Sequence, residues 1–401
     1  MIDKWSEEFN KTFSVWREES TPWPGRDEFR SLDEWNAMLV HKLLFNTVLL
    51  WSYCVVGVIG NSVVLFFYTF RIKGKLEDRF LIPHLAFFDL LATVFTTVDK
   101  TLDNVFPVTY PNYLLCQFSN FTSRVFAATG DGILLLIAFQ RYHRICRPFQ
   151  FQRPLPNDRI CVILMFAAAI VLNSPVFLFY ELHQVHLEAN DLDIVGYRCD
   201  HIHHHKQFND LMTGYDVIVF VLIVVVMVII SVLYILIARA IKDSAIKTSK
   251  NRKQSIDVIS ANADYVTSDP SECWVKSTAD DQTKNSEKSI RRNNSSAISL
   301  GRWATLTTTL RNRYQTNRFS YMFMTIALLF IVTYIPSNVL KICELHHPDM
   351  WTELSHWKLH TYLFFRQVYI LNHVVNPFIY GLFDSGFRRN LILFFRCSNN
   401  S

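Results

Sequence analysis

The chain has 401 residues, half of them hydrophobic, with 33 Phe but only 11 Gly. Lys and Arg exceed Asp and Glu by 40 to 35, and this small excess does not indicate binding to nucleic acid. The eight cysteines form no CxxC pair and no metal-ligand spacing. No phosphate-binding loop and no nucleophile constellation occur in the sequence, so it does not predict an enzyme.

Seven apolar stretches are long enough to cross a bilayer as helices. Polar residues interrupt several of them, as expected for helices that pack against one another inside a membrane. The stretches cover approximately residues 43–70, 79–107, 114–146, 158–180, 211–240, 318–344 and 357–383. The prediction is an all-α fold with an N-terminal tail (1–42), five spans (43–240), a connecting segment (241–317), two further spans (318–383) and a C-terminal segment (384–401).

Charged residues outside the spans predict their orientation, because cytoplasmic connections of membrane proteins carry an excess of Lys and Arg. Basic residues concentrate in the first and third connections and after the seventh span, at Arg71, Lys73, Lys75, Arg79, Arg144, Arg147, Arg153, Arg159, Arg388, Arg389 and Arg396. All of these fall on one side, and the acidic N-terminal tail falls on the other. We therefore expect an extracellular N-terminus and a cytoplasmic C-terminus.

Residues 241–317 differ in composition from the rest of the chain. They are rich in Ser, Thr, Asn and Lys and contain few large apolar residues, so they cannot bury a core. The prediction is a disordered cytoplasmic loop whose ends can extend the neighbouring helices. Arg252–Ser255 within it has the pattern of a basophilic kinase site. The alternative is a chance match that no kinase phosphorylates.

The third apolar stretch ends in Gln140–Pro148, which places Arg141 at the membrane border. An arginine there is costly unless it reaches water or a protein partner. Cys116 lies twenty-five residues earlier, about 37 Å along a helix, which is roughly one membrane thickness. One helix can therefore carry a cysteine at one face and an arginine at the other. By itself this stretch fits either a basic flank or a functional motif.

Three other stretches carry polar residues that are costly in lipid. Gly60–Val64 contains an asparagine, Leu85–Leu90 an aspartate, and Asn376–Tyr380 an asparagine followed by proline. Together they indicate one connected polar site inside the bundle. With Gln140–Pro148, these motifs resemble those of class A, rhodopsin-like G-protein-coupled receptors. The resemblance covers all seven spans but not the termini or the long connection.

The resemblance implies a seven-transmembrane helix bundle with a short C-terminal membrane-surface helix, in a receptor of the peptide or orphan type. In this family an arginine of the third helix and tyrosines of the fifth and seventh form a cytoplasmic switch. The sixth helix bends at a proline. The implied switch residues in this chain are Gln140, Arg141, Tyr142, Tyr234, Phe330, Tyr334, Pro336, Asn376, Pro377 and Tyr380.

Two of the residues that depart from the family's usual pattern lie in the implied switch. Gln140 stands where an acidic residue usually precedes the arginine, and Tyr334 stands where a tryptophan is usual. A neutral amide holds Arg141 less firmly than a carboxylate, because charge-assisted hydrogen bonds are stronger. The sequence therefore predicts raised ligand-independent signalling, which Gln140→Glu should lower. The alternatives are weakened coupling and a different resting partner for Arg141.

The resemblance also implies a buried polar site, which in the family often holds a sodium ion near the second-helix aspartate. Its residues here are Asn61, Asp89, Asp131, Asn372, His373 and Asn376. Gly130 replaces a serine that usually helps to bind the ion. Asp131 and His373 are unusual at this site, and they are either hydrogen-bond or proton partners that replace sodium or separately satisfied buried groups. No other cofactor is expected.

Three covalent features are implied by the same resemblance. Cys116 and Cys199 match the family's extracellular disulfide, which would form in an oxidising compartment. Asn10 begins a glycosylation sequon on the outer tail. Cys397, at the end of the predicted surface helix, is a palmitoylation candidate.

The outer half of the predicted bundle is rich in ionisable side chains, which at such depth are functional candidates. The family's amine-binding aspartate and retinal-binding lysine are replaced by Ser123 and Ile370, which argues against an amine ligand and against light sensing. The mixed charges suit a peptide or a small zwitterion, with salt bridges between helices as the alternative. The pocket candidates are Asp99, Lys100, Asp103, Ser123, Arg124, Lys341, Glu344 and Arg366.

The resemblance implies a multi-pass plasma-membrane receptor that binds an extracellular ligand, with a peptide favoured, and activates a heterotrimeric G protein at Arg141. Arrestin, receptor kinases and membrane lipid are further implied partners. One alternative is a non-signalling scaffold or decoy receptor with the same seven helices. The other is a transporter, which should show repeated halves that this sequence lacks.

Overall fold

The computed structural model describes residues 30–72, 79–147, 158–189, 192–201, 206–266, 318–344 and 354–398. Within these ranges the chain is mostly helical, as expected, and six helices are long and apolar enough to cross a membrane by length and composition. The all-α expectation is wrong in one respect, because a β-hairpin follows the fourth helix. Asn10, the predicted glycosylation site, lies outside the described residues.

The six long helices follow one another along the chain. In order they are α1 (Leu32–Phe66), α2 (Leu81–Val105), α3 (Tyr113–Cys146), α4 (Asp158–Asn173), α5 (Lys206–Val266) and α6 (Arg318–Glu344). A π-helical turn, Phe67–Arg71, ends the first helix, and a short helical turn, Val176–Phe179, follows the fourth.

Two helices extend beyond the predicted apolar spans. α1 begins before residue 43 because a reciprocal cap forms there: Ser31 Oγ accepts from the Glu34 N–H at 3.3 Å, and Glu34 Oε2 accepts from the Arg30 N–H at 2.8 Å. α5 continues past residue 240 to Val266. The first part of the 241–317 segment is therefore a helical extension, which the sequence had left open.

The last predicted span, residues 357–383, is a series of short helices. These are α7 (His356–Gln367), a 3-10 turn (Val368–Ile370), α8 (Leu371–Val374) and α9 (Asn376–Phe383). Pro377 contributes to the interruption before α9, because proline has no N–H to donate to the preceding turn. Gly60 on α1 accommodates this proline, since a Cβ at Gly60 would lie 2.9 Å from Pro377 Cγ.

A final helix, α10 (Ser385–Ser398), occupies the region of the predicted surface helix and includes Cys397 in its last turn. The side chain of Asp384 caps its start by accepting from the N–H groups of Gly386 at 2.8 Å and Phe387 at 3.3 Å. Phe387 is buried against Phe67 and Tyr68 at the end of the first helix. This contact anchors α10 beside the π-helical turn.

The hairpin consists of β1 (Tyr180–Ala189) and the antiparallel strand β2 (Leu192–His201). β2 also pairs with the connection between α2 and α3, because the Tyr197 N–H donates to the Val108 carbonyl at 2.7 Å. Gly196 permits this approach, since a Cβ there would lie 2.6 Å from the same oxygen. The sequence analysis missed these strands, although Val185–Ala189 of β1 alternates apolar and polar residues as a half-buried strand does.

The predicted disulfide is confirmed: Cys116 in the first turn of α3 is bonded to Cys199 in β2, with Cα atoms 5.5 Å apart. The hairpin therefore lies at the start of α3, and Arg141 lies near the end of the same helix. These two positions define opposite ends of the bundle. We call the end that carries β1 and β2 the hairpin end, and the end that carries Arg141 the arginine end.

Loss of the disulfide is expected to destabilise the protein by about 2–5 kcal/mol, because the hairpin loses its covalent tie to α3. Cys116→Ser, Cys199→Ser and the double variant should have equal thermal unfolding midpoints, since each removes the same bond. Cys54→Ser, at a free buried cysteine, is the control. Unfolding midpoints equal to wild type, or additive losses in the double variant, would contradict this expectation.

The largest apolar core lies towards the arginine end. It joins buried side chains of α1 to α6, α9 and α10, among them Leu85, Ile137, Ile230, Phe323 and Ile379. Burial of such side chains contributes about 1.5–3 kcal/mol each in water. In a bilayer, close packing and internal hydrogen bonds replace much of that driving force. The core thereby holds α3 against α6 beside Arg141.

Candidate functional site

A buried carboxylate on α2 has donors from the last segment of the chain. Asp89 is 1% exposed, His373 Nδ1 lies 2.8 Å from its Oδ1, and Asn376 Nδ2 donates to its Oδ2 at 2.7 Å. A buried carboxylate without such partners would be strongly unfavourable. These contacts therefore tie α2 to α8 and α9.

A second carboxylate, Asp131 on α3, joins two further elements. Its Oδ2 accepts from the Tyr334 hydroxyl at 2.5 Å, and its Oδ1 accepts from Asn372 Nδ2 at 3.2 Å. Asn61 on α1 donates to the His373 backbone carbonyl at 2.8 Å. Hydrogen bonds thus bring together seven polar residues from different spans. We call this region the polar centre: Asn61, Asp89, Asp131, Tyr334, Asn372, His373 and Asn376.

The polar centre as it stands does not fit a sodium ion at Asp89, because the His373 ring lies directly beside Oδ1. A Cβ at Gly130 would lie 3.3 Å from that oxygen and 3.4 Å from His373 Cε1. The glycine therefore leaves room for the imidazole where a larger residue would crowd it. Of the two alternatives for His373, this contact favours a hydrogen-bond partner of Asp89.

At the arginine end, Arg141 lies against two aromatic rings of α6. The side chain is 1% exposed, and its guanidinium carbon lies 4.9 Å from the centre of the Phe323 ring and 5.8 Å from that of Phe319. Such distances give cation–π attraction. The neighbouring Gln140 is also buried. The structure thus places an aromatic partner for Arg141 on the sixth helix.

Phe319 connects Arg141 to a second ionic group. The Arg79 guanidinium lies 5.0 Å from the centre of the Phe319 ring and 3.4 Å from Asp384 Oδ1. Asp384 Oδ2 also accepts from the Tyr68 hydroxyl at 2.6 Å. Sequence reasoning missed Phe319, Phe323 and Asp384. A pair of phenylalanines one helical turn apart, at the depth of Arg141, was the available signal for the first two.

The other predicted switch residues lie between the polar centre and the arginine end. Phe330 and Tyr334 have ring centres 4.6 Å apart, while Tyr234 and Tyr380 are buried. The Tyr380 ring lies 5.9 Å from that of Tyr68. Tyr142 is partly buried on α3, Pro336 is partly buried within α6, and Pro377 is buried at the start of α9.

The charged residues predicted at the hairpin end form separate groups. Lys100 Nζ lies 3.0 Å from Asp99 Oδ2 and 2.9 Å from Asp103 Oδ2. Ser123 Oγ donates to Asp99 Oδ2 at 3.3 Å. These contacts support the interpretation that some of the predicted pocket residues are structural salt bridges.

A second group joins α6 to α7. Arg366 Nε donates to Glu344 Oε1 at 2.6 Å, and the Tyr362 hydroxyl donates to the same oxygen. Arg124 on α3 donates to the Tyr180 hydroxyl at the start of β1 and lies 5.0 Å from the centre of that ring. Sequence reasoning missed Tyr180 and Tyr362, because an isolated tyrosine carries no pattern that names its partner.

Comparison with known proteins agrees with this arrangement. The model of the 7 transmembrane receptor (rhodopsin family) matches residues 60–380. Neuropeptide FF receptor 2 of Rattus norvegicus is 21% identical over 339 residues, which are 82% of this chain and 67% of that receptor. The neuropeptide S receptor of Homo sapiens is 25% identical over 150 residues, which are 37% of this chain and 39% of that receptor.

Similarity extends to receptors with other names. Olfactory receptor 14L1 of Homo sapiens is 25% identical over 133 residues, which are 33% of this chain and 39% of that receptor. The alignments with this receptor and with the neuropeptide S receptor span well under half of either relative. The family match is much longer and includes the polar centre and Arg141. Its members are receptors and not enzymes, and this chain belongs to the rhodopsin family of seven-transmembrane receptors.

Proposed function

We propose that this protein binds an extracellular ligand at the hairpin end and activates a heterotrimeric G protein at the arginine end. The disulfide-linked hairpin supports an outside location for its end of the bundle, because disulfides persist in oxidising compartments. Basic residues beside the arginine end, such as Arg79 and Arg147, support a cytoplasmic location for that end. The N-terminus is then extracellular.

The proposal includes a seventh membrane crossing by α7, α8 and α9. Interrupted helices are tolerated at membrane depth where their free backbone groups find partners inside the bundle. Asn61, which donates to the His373 carbonyl at 2.8 Å, provides such a partner. α10 would lie on the cytoplasmic membrane surface, with Leu393 and Phe394 towards lipid and Cys397 as the site of an acyl chain.

We favour a peptide as the ligand. Two of the relatives are named as neuropeptide receptors, and the hairpin end combines acidic, basic and aromatic side chains that suit a peptide. The signalling proposal depends on one observation: the buried guanidinium of Arg141 on α3 packs against the Phe323 ring of α6. Movement of α6 away from α3 would uncover this arginine for a G protein. Arrestin and receptor kinases would act on the same face, with Ser255 as a phosphorylation candidate.

A screen of peptides against surface-expressed receptor, reading calcium and cyclic AMP, tests this function. We expect an agonist response that Arg141→Ala reduces at least about tenfold at matched surface expression, because the variant removes the group that α6 uncovers. Arg30→Gln, at an exposed arginine that precedes α1, is the control. Ligand binding without any G-protein response would support the non-signalling scaffold instead.

A further inference from the structure

The start of α6 carries two phenylalanines one helical turn apart, and each lies against a different arginine. The centre of the Phe323 ring lies 4.9 Å from the guanidinium carbon of Arg141 on α3. The centre of the Phe319 ring lies 5.0 Å from that of Arg79 and 5.8 Å from that of Arg141. These distances are within the range of cation–π attraction. The start of α6 is therefore held by cations from two other elements, α3 and the segment that precedes α2.

Arg79 is itself held by the junction between α9 and α10. Its guanidinium lies 3.4 Å from Asp384 Oδ1. The Asp384 side chain is 2% exposed, and its Oδ2 accepts from the Tyr68 hydroxyl at 2.6 Å. Its Oδ1 also accepts from the N–H groups of Gly386 and Phe387. A carboxylate with this many donors has a fixed position, so the arginine beside it has a fixed anchor.

The Arg79 guanidinium also lies against the first turn of α10. A Cβ at Gly386 would lie 3.5 Å from Arg79 Nη2 and 3.6 Å from Nη1, which is van der Waals contact. Arginine can contact a ring and a carboxylate together, because its planar guanidinium stacks through its face and donates through its edge. A continuous route of contacts therefore runs from α10 through Arg79 to Phe319 on α6.

We propose that Arg79 is a positioning residue of the resting receptor, which holds α6 through Phe319 and is anchored by Asp384. The inference rests on the proposed function in one respect, since it takes the movement of α6 as the activating step. It adds a second contact that this movement must break. It also connects α6 to α10, because displacement of the first turn of α10 would release Arg79 and weaken its hold on Phe319.

The reactivity of a buried thiol at the start of α6 tests this inference without a ligand or a G protein. Ser320 is buried next to Phe319, so the thiol of a Ser320→Cys receptor should react with N-ethylmaleimide only when α6 is displaced. Peptide mass spectrometry of purified full-length receptor in lipid nanodiscs measures this labelling rate. The same spectra report labelling at Cys54, a native buried cysteine of α1 that detects general loosening of the fold.

Arg79→Gln should raise the labelling rate of the Ser320→Cys thiol about two- to fivefold, the factor expected for one partly exposed cation–π contact. Phe319→Leu should raise it at least as much. The Arg79→Gln/Phe319→Leu double variant should match Phe319→Leu alone, because the arginine acts through the ring. Arg79→Lys keeps the positive charge and should keep most of the hold. Arg71→Gln, at an exposed arginine that ends the π-helical turn, is the matched control and should leave the rate unchanged.

Asp384→Asn tests the connection to α10. An asparagine can still cap the helix, but it no longer carries the charge that anchors Arg79. The labelling rate should therefore rise in Asp384→Asn, and adding this change to Arg79→Gln should raise it no further. An effect of Asp384→Asn that persists at full size in the Arg79→Gln receptor would overturn the connection through Arg79.

Unchanged labelling of the Ser320→Cys thiol in Arg79→Gln would overturn the whole inference, as would an equal rise in labelling at Cys54. A receptor that labels faster in Arg79→Gln but never activates a G protein would contradict the proposed coupling and leave the inference intact. A receptor that responds to an agonist but labels at the wild-type rate in Arg79→Gln would contradict the inference alone.

Discussion

Phe323→Ala is expected to raise ligand-independent signalling several-fold. The guanidinium of Arg141 lies 4.9 Å from the centre of the Phe323 ring in a site where the arginine is 1% exposed. A cation–π contact contributes about 0.5–1 kcal/mol at exposed sites and about 2 kcal/mol or more when desolvated. If only the resting state loses about 1 kcal/mol of stabilisation, the population of a minor active state rises by roughly fivefold. The measurement is basal G-protein activation at matched surface expression.

The aromatic character of Phe323 can be separated from its size. Phe323→Trp should keep basal signalling low, because tryptophan gives the strongest cation–π attraction. Phe323→Leu keeps an apolar side chain but removes the ring, so it should raise basal signalling. Phe88→Leu, at a buried phenylalanine of α2, is the control for loss of a core ring. Equal basal signalling in Phe323→Leu and wild type would show that the ring does not hold Arg141.

The aromatic contact bears on the role of Gln140. The sequence predicted that Gln140→Glu lowers basal signalling, because a charge-assisted bond to Arg141 exceeds a neutral one by on the order of 1 kcal/mol. That prediction stands, and the structure adds the other resting partner that the sequence had left open. If Gln140→Glu acts through Arg141, as Phe323→Ala does, the effects of the two changes should not add in the double variant.

His373→Ala is expected to destabilise the receptor by about 1–3 kcal/mol or more, the cost of leaving a buried hydrogen-bonding group without its partner. Asp89 would keep its bond from Asn376 at 2.7 Å but lose the donor at Oδ1. Adding Asp89→Asn should restore part of the stability, because the remaining group no longer carries a charge. Thermal unfolding midpoints of the purified single and double variants measure this coupling.

The same variant tests the exclusion of sodium. Wild type should unfold at the same temperature in sodium and potassium chloride at about 0.15 M ionic strength, because His373 lies where an ion would contact Oδ1. His373→Ala frees that oxygen and should gain a sodium-specific stabilisation. A sodium-specific rise in the wild-type unfolding midpoint that Asp89→Asn abolishes would show that the ion binds beside the histidine.

The sequence by itself determined which polar residues are energetically unfavourable inside a membrane. Bilayer thickness limits where helices can lie, and a polar group in lipid needs a partner, so Asp89, Asn376 and Arg141 stood out without any coordinates. The motifs were sufficient to recognise the family, and that resemblance implied the Cys116–Cys199 bond. The costly polar residues depend on residue type and order along one helix, which a sequence displays directly.

Only the tertiary structure decided which polar residues meet. His373 and Asp89 are 284 positions apart, and Tyr334 and Asp131 are 203 apart, so no local pattern could pair them. The same holds for Phe323 against Arg141 and for Arg79 against Phe319. The short-range forces that make these contacts depend on distance in space, which helix packing sets and chain order does not.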